Sequence, residues 1–412
     1  MKWKEILSKA LLCLFIIVCI AHVTLLYYGI AYITTTISLY VLLALILYKC
    51  IGYIGNKYNL ANYRNIQLSI ISFLLFMFIG ELTLRYVVKL NITRKENLSG
   101  FYSSEYKRHL LRIDYNKYVR GFNLGWYFVN QPYSQYSSSG SEFNNTFTYN
   151  SQGINSKEIS PTDTTPLIIT LGDSYTEGVG TAQDSAWPYL LGYIYNLDSL
   201  HTSTNILNAG KNGSDVCFEY IYLQKLLLTY KPKTVVVSTN TSDIDDIIIR
   251  GGMERFKADS TMRFKASPWW EPLYATSFIA RALFHAVLHI DWTLLTKEQK
   301  KQATQRAVAI SAETIGKFSE LAQQHHFKLV VMLNPLVHEM KSISPLYKQI
   351  SSNVKDIDGL NFIDLRDAFI KDGRITPSTY QNYYWPEDKH HNSAGYKIWA
   401  EIVASHLQET TK

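Results

Sequence analysis

The sequence predicts an α/β domain built on a parallel sheet covered on both faces, preceded by helices that cross a membrane. Three observations carry this expectation. From residue 166 onward, short apolar runs of strand length alternate with helical segments, the pattern of a sheet buried on both sides. Before residue 90 lie three apolar stretches, each near the roughly 20 residues that span a bilayer. Short polar, glycine-bearing motifs follow the strands, at the carboxyl edge where such sheets bind ligands.

The membrane anchor is read as residues 1–90, with about three transmembrane helices. Candidate spans are 8–29 ("SKALLCLFIIVCIAHVTLLYYG"), 31–54 (around "ISLYVLLALILY") and 66–88 ("IQLSIISFLLFMFIGELTLRYVV"). The apolar content runs well past a single signal-peptide core, and no small-residue cleavage site stands out. The alternative makes the first two spans a pair of imperfect interfacial helices. Charge follows the same division. Of the net +7, residues 1–90 hold eight Lys and Arg against two Glu, a net +6, while the rest has 33 basic and 32 acidic residues, a net +1. A nearly neutral globular part gives no reason to expect nucleic acid as a partner. Lys2, Lys4 and Lys9 precede the first span, and Lys49, Lys57 and Arg64 lie between the second and third. The positive-inside rule then makes both segments cytoplasmic, and three crossings put everything after residue 90 outside the cytoplasm. Cys13, Cys19 and Cys50 lie in or beside the spans and Cys217 is alone in the globular part, so neither a disulfide nor a metal-ligand pair is expected there.

Residues 91–165, rich in Tyr, Asn and Ser, alternate aromatics without a helical period and read as a β-rich collar or an irregular linker. The catalytic domain follows over 166–408. Its strands are "PLIITLG" (166–172), "NILNAG", "TVVVST", "KLVVMLNP" (328–335) and "LNFIDL". Its helices are "AWPYLLGYIYNL", "CFEYIYLQKLLLTY", a long one over about 299–324, and the closing "SAGYKIWAEIVASHLQ". An insertion at 244–297 breaks this rhythm. Trp269, Trp270 and the amphipathic "FIARALFHAVLH" fit either a lid or partner-facing element or a plain packing subdomain. His285 and His289 have helical metal-pair spacing, but no third ligand accompanies them, and packed histidines are the better reading. No metal or cofactor is expected.

Four motifs could carry chemistry. In "LGDSYTEG" (171–178), Ser174 follows a buried strand and is either a nucleophile or part of an ordinary helix cap. A helix starting near Thr176 would favour negative charge beside it. A serine nucleophile needs a base, and the base an orienting acid. The loop "WPEDKHHNSAGYKIW" offers both, Asp388 with His390 or His391. An oxyanion also needs donors. "NAGKNGSD" (208–215) supplies glycines that allow close backbone approach, and "STNTSD" (238–243) supplies Asn240 and Ser242.

This set resembles the SGNH (GDSL) hydrolase superfamily, of the membrane-anchored bacterial esterase and acyltransferase type, over roughly residues 150–408. The lead-in "YNSQGINSKE" is also similar to that of such members. The resemblance implies a flavodoxin-like α/β/α sandwich with Ser174 as nucleophile, its backbone N–H also serving the oxyanion hole. Gly213 matches the second-block glycine, five residues after Asn208. The third block departs from the family's Gly-x-Asn-Asp: here it reads Asn240-Thr241-Ser242-Asp243, with Ser242 at the oxyanion asparagine's position. Either Ser242 donates with a shorter reach or Asn240 replaces it, and the amide is the better donor. In the last block an Asp-x-x-His reading selects His391, whereas alignment on Asn392 and Gly395 selects His390 as base with Asp388. The second alignment is the stronger.

The implied activity is that of a serine esterase or acyl(acetyl)transferase at a bacterial inner (cytoplasmic) membrane, its catalytic domain periplasmic. Its substrates would be O-acylated, with cell-envelope glycans the expected class, and the lipid bilayer and a membrane protein its expected partners. The rival reading is an accessory module with a degenerate site that binds a membrane acyltransferase. A lipase working at the membrane surface is a third.

Overall fold

The structure, a computed structural model, describes residues 32–87, 113–114, 132–136, 141–197, 203–256, 261–262, 265, 268–270, 274, 277–291, 293–357 and 360–409. These divide into two compact units, one within 1–112 and 263–301, the other within 113–262 and 302–412.

The first unit holds two helices, Tyr32–Lys57 and Tyr63–Leu82, a π-helical turn Thr83–Val87, and the helix Phe278–Leu288. Among the described residues, Tyr63–Leu82 is the one helix long and apolar enough to cross a membrane by length and composition. It covers most of the third expected span. The second expected span falls on Tyr32–Lys57, and the first lies outside the described residues. Within the unit, Gln67 Nε2 donates to Tyr48 O at 2.6 Å. Glu81, buried near the end of Tyr63–Leu82, accepts from Phe278 N at 2.6 Å and from the Ser277 hydroxyl. A carboxylate in an apolar helix is thereby matched to the free N–H groups that open another helix.

The second unit is organised around five parallel strands: β1 (Leu167–Leu171), β2 (Asn205–Asn208), β3 (Thr234–Thr239), β4 (Lys328–Leu333) and β5 (Asn361–Asp364). Their spatial order is β2-β1-β3-β4-β5, the flavodoxin-like order. Every residue of β1 and β3 is buried, which explains why they read as continuous apolar runs rather than alternating ones. Ile168, Val236, Val330 and Met332 pack on one side with Trp187, Leu191, Trp399 and Val403. The alternate residues Ile169, Val235, Val237 and Val331 are equally buried, so the sheet is covered on both faces. Trp187 and Trp399 stack at 5.2 Å between the helices Trp187–Leu197 and Ser393–Glu409.

The described part of the collar belongs to this unit. Pro132–Tyr136 pairs antiparallel with Asn144–Thr148, and Ile113–Asp114 with Thr261–Met262. The rest of 91–140 lies outside the described residues. Phe147 and Tyr149 are buried in the second unit, so the chain is already part of the fold some twenty residues before β1. Strand order decides where a site can form. The connections leaving β1 and β3 run to opposite sides, which opens a crevice at their carboxyl ends. Register aligns Leu171 with Val237, and Thr239 with Leu333, placing the motifs after β1 and β3 side by side.

Candidate active site

The turn after β1 is set by Asp173. Its Oδ1 accepts from Tyr175 N at 2.9 Å, making Asp173 the N-cap of the one-turn helix Ser174–Glu177. The helix thus begins at Ser174 rather than near Thr176. Cap and candidate nucleophile are neighbours, so the two readings of this motif do not compete. Asp173 is fully buried, and burial raises its pKa against the opposing pull of the Tyr175 N–H, the Asn240 amide and His390.

Ser174 Oγ lies 2.8 Å from His390 Nε2, and His390 Nδ1 lies 2.5 Å from Asp388 Oδ1. With Nδ1–H donating to the carboxylate, the Nε2 lone pair is free to accept the serine proton. The loop carrying Asp388 and His390 is held at several points. Lys389 sits at φ +75°, a left-handed conformation that turns its two neighbours to the same side. Tyr175 OH donates to Lys389 O at 3.1 Å and its ring centroid is 4.6 Å from that of His390. Trp385 Nε1 donates to Gly180 O at 2.7 Å. Glu142, from the collar, accepts from Glu387 N at 2.7 Å and Asp388 N at 2.8 Å.

His391 lies elsewhere. It is fully buried, 4.0 Å from the ring of Tyr384 and 5.6 Å from that of Trp399, and its Nδ1 is 3.3 Å from Tyr383 O. Burial pushes its pKa down to about 3, with the Tyr383 carbonyl opposing and His390 adding slightly. It is a neutral core side chain.

After β3, Asn240 Oδ1 accepts from both Ser242 N at 2.8 Å and Ser242 Oγ at 2.6 Å. That fixes the amide orientation, and Nδ2 donates to Asp173 Oδ2 at 2.8 Å. The Ser242 hydroxyl is thus directed at Asn240. One Nδ2 hydrogen of Asn240 has no acceptor among the described residues. The turn after β2 shows a similar economy of donors. Lys211 N donates to Gly172 O, Ser214 N to Lys211 O (both 2.9 Å), and Asn212 N to Glu177 Oε2 at 3.1 Å. Within Lys211–Ser214, Gly213, at φ +72°, is the residue whose N–H finds no acceptor among the described residues. Ser174 N is in the same position. Gly210 permits the approach, since a Cβ there would stand 2.4 Å from Glu177 N. Behind the turn, Arg250 donates to Gly213 O, and Arg255 forms a two-pronged pair with Asp215 at 2.8 Å for both bonds.

The structure therefore brings Ser174, Asp388, His390, Gly213 and Asn240 to one crevice, with Ser242 behind Asn240 and His391 in the core. Glu142, Tyr175 and Trp385 escaped the sequence reading. His285 and His289, expected to be packed, are instead exposed at the end of Phe278–Leu288, and no metal-ligand cluster occurs among the described residues.

No protein-family model matches the sequence, and no curated protein is significantly similar to it. Among solved structures, it is similar to a two-domain esterase active on acetylated mannans (14% identity, TM-score 0.36), with 60% of this chain and 49% of that one covered. It is also similar to a lipase/acylhydrolase from Enterococcus faecalis (14% identity, TM-score 0.37; 60% and 96% covered). A third is the acetylxylan esterase Axe2 from Geobacillus stearothermophilus (14% identity, TM-score 0.37; 59% and 94% covered).

Proposed function

We propose that this chain is a membrane-anchored serine esterase or O-acyltransferase that works through an acyl-serine intermediate on O-acylated substrates outside the cytoplasm. One observation carries the reading: the continuous line Ser174 Oγ, His390 Nε2, His390 Nδ1, Asp388 Oδ1, with both gaps at hydrogen-bond length. In this mechanism Ser174 attacks the acyl carbonyl as its proton passes to His390 Nε2. Asp388 holds the ring tautomer and stabilises the imidazolium. The oxyanion accepts from Ser174 N–H, Gly213 N–H and Asn240 Nδ2–H. His390 then returns the proton to the departing alcohol. Water resolves the acyl-enzyme in hydrolysis, and a sugar hydroxyl does so in transfer. The accessory reading rests on Ser242 in the third block. Asn240 answers it, because its amide offers a hydrogen of the kind that block needs.

The anchor is inferred from Tyr63–Leu82, whose 20 residues measure about 30 Å as a helix, one hydrocarbon core. The orientation rests on the lysines and arginines flanking the apolar segments. An esterase facing outward would meet O-acylated cell-envelope glycans, which are the proposed substrate class. A fluorophosphonate probe on the detergent-solubilised chain tests the core of this proposal. Wild type should label and Ser174→Ala should not; labelling that persists in the variant rules Ser174 out.

A further inference from the structure

We infer that the segment 149–155, ahead of β1, forms part of the oxyanion loop's support, and that Glu177 is the positioning residue through which it acts. The inference rests on the esterase reading above. Glu177 is fully buried three residues after Ser174. Its Oε2 accepts from Asn212 N at 3.1 Å, and its Oε1 accepts from Tyr149 OH at 2.8 Å. Its main-chain oxygen accepts from Asn155 Nδ2 at 2.8 Å. One residue thus joins the nucleophile's helix, the turn carrying Gly213, and the segment ahead of β1.

Lys211 makes the same connection from the other side. It is 1% exposed, passes 5.1 Å from the ring centroid of Tyr149, and donates to Gly153 O at 2.7 Å. Burial lowers its pKa to about 8 while nearby Glu177 works to raise it, so each charge is the other's compensation. The segment is stiff enough to serve as an anchor. Asn150 Oδ1 accepts from Gln152 N at 3.0 Å and Ile154 N at 2.9 Å, and Tyr230 OH donates to Gln152 at 2.5 Å.

The consequence concerns one N–H. Among the four N–H groups of Lys211–Ser214, those of 211, 212 and 214 are held by protein acceptors. Gly213 N–H is the one left without an acceptor among the described residues, and its direction depends on the peptide immediately before it. Asn212 N is fixed by Glu177, and Glu177 by Tyr149. The lead-in "YNSQGIN" is thereby a structural part of the active site, acting through Glu177 and Lys211.

The test uses the full chain in detergent, p-nitrophenyl acetate as substrate and an aryl boronic acid as a tetrahedral mimic. Glu177→Gln keeps the shape but removes the charge that Lys211 faces, and it can hold both Asn212 N and Tyr149 only if the tyrosine hydroxyl turns round to accept from the new amide. Its kcat should fall about tenfold to a hundredfold with KM within about twofold of wild type, and boronate affinity should fall in step with kcat. Tyr149→Phe should give the same split with a smaller fall, about fivefold. It carries the test if Glu177→Gln does not fold, because it removes only the hydroxyl. The inference is overturned if folded variants keep kcat within about twofold, or if KM rises while kcat and boronate affinity hold. A wild type that neither turns over the ester nor reacts with a fluorophosphonate overturns the esterase reading itself, and this inference with it.

Discussion

Replacing Asn240 and Ser242 by alanine, one at a time, separates the two candidates for the third oxyanion donor. The Asn240 amide is held at both ends, by Ser242 N and Oγ on its oxygen and by Asp173 on its nitrogen. Asn240→Ala removes the remaining Nδ2 hydrogen and leaves Asp173 Oδ2 without that donor. Loss of one oxyanion donor lowers kcat by about 10² to 10³, or roughly 3–4 kcal/mol of transition-state stabilisation. Ser242→Ala removes the hydroxyl bond alone, and the Ser242 N–H at 2.8 Å still holds the amide oxygen. A net hydrogen bond is worth about 1 kcal/mol, so the second variant should lose no more than about fivefold. The assay is kcat/KM on an aryl acetate, with thermal melts to confirm that both variants fold. Equal losses in the two variants, or less than about tenfold for Asn240→Ala, would refute the assignment.

The two adjacent histidines should fail differently. His390→Ala should lower kcat by about 10⁴ with little change in stability, whereas His391→Leu should act on stability; a larger kcat loss in His391→Leu would reverse the roles. Because the folded chain holds His391 neutral down to about pH 3 while its ordinary value is 6.5, the unfolded chain binds the extra proton between these limits. Its contribution is therefore complete above about pH 6.5 and is lost toward pH 3, at about 1.4 kcal/mol per pH unit. His391→Leu should flatten the acid side of the stability–pH curve by about one proton; curves that stay parallel between about pH 4 and pH 6 would contradict this.

How far the sequence could be read depended on how local each cause was. Strand runs such as "PLIIT" and "TVVVST" declared themselves, because a strand buried on both faces has no polar alternation to obscure it. The Asp388–His390 pairing was also local, two residues within one loop. Asn240 against Ser242 was not settled by spacing. The helix after β3 begins at Ser242, and only the turn before it sends the Asn240 amide toward Asp173. Glu142 was invisible for a different reason. It binds the backbone of residues 387 and 388, some 245 positions away, and a carboxylate that accepts from main-chain N–H groups requires nothing distinctive at those positions. Tyr149 and Tyr175 carry no motif of their own in the sequence. Their rings do pack, and it is their hydroxyls that tie the site together.

The charges behind the nucleophile pose the remaining problem, since Asp173, Asp215, Glu219 and Asp243 are all buried there, with Arg250 and Arg255 as guanidinium partners of Asp215. Ser214 resolves part of it by counting protons. Its Oγ is 3.1 Å from Gly172 O and 2.9 Å from Glu219 Oε1. A hydroxyl has one hydrogen, and a carbonyl oxygen can only accept. If Ser214 donates to Gly172, then Glu219 must itself donate to Ser214 and so carries a proton. Burial raises Glu219 well above the usual carboxylate range, in the same direction, and Asp243 likewise. Asp215 differs: burial would raise it too, but Arg255 and Arg250 hold it below its ordinary value. Asp215 is the carboxylate these guanidiniums meet, Arg255 at 2.8 Å and Arg250 at 3.8 Å, and Arg250 also meets Asp246 at 3.2 Å, so a protonated Glu219 leaves one negative charge fewer behind Ser174. The balance matters, because one more unit charge about 8 Å from an oxyanion would disfavour it by about 2 kcal/mol at an effective dielectric of 20. Paired variants test this account. Asp215→Asn keeps the helix cap but removes the charge, and should cost about 3–5 kcal/mol by leaving Arg255 buried without its partner. Glu219→Gln replaces one neutral donor with another, so stability should stay within about 1 kcal/mol of wild type and ester turnover should persist. Should thermal unfolding at neutral pH show Glu219→Gln as damaging as Asp215→Asn, Glu219 is ionised in the native chain, and Ser214 donates to it rather than to Gly172.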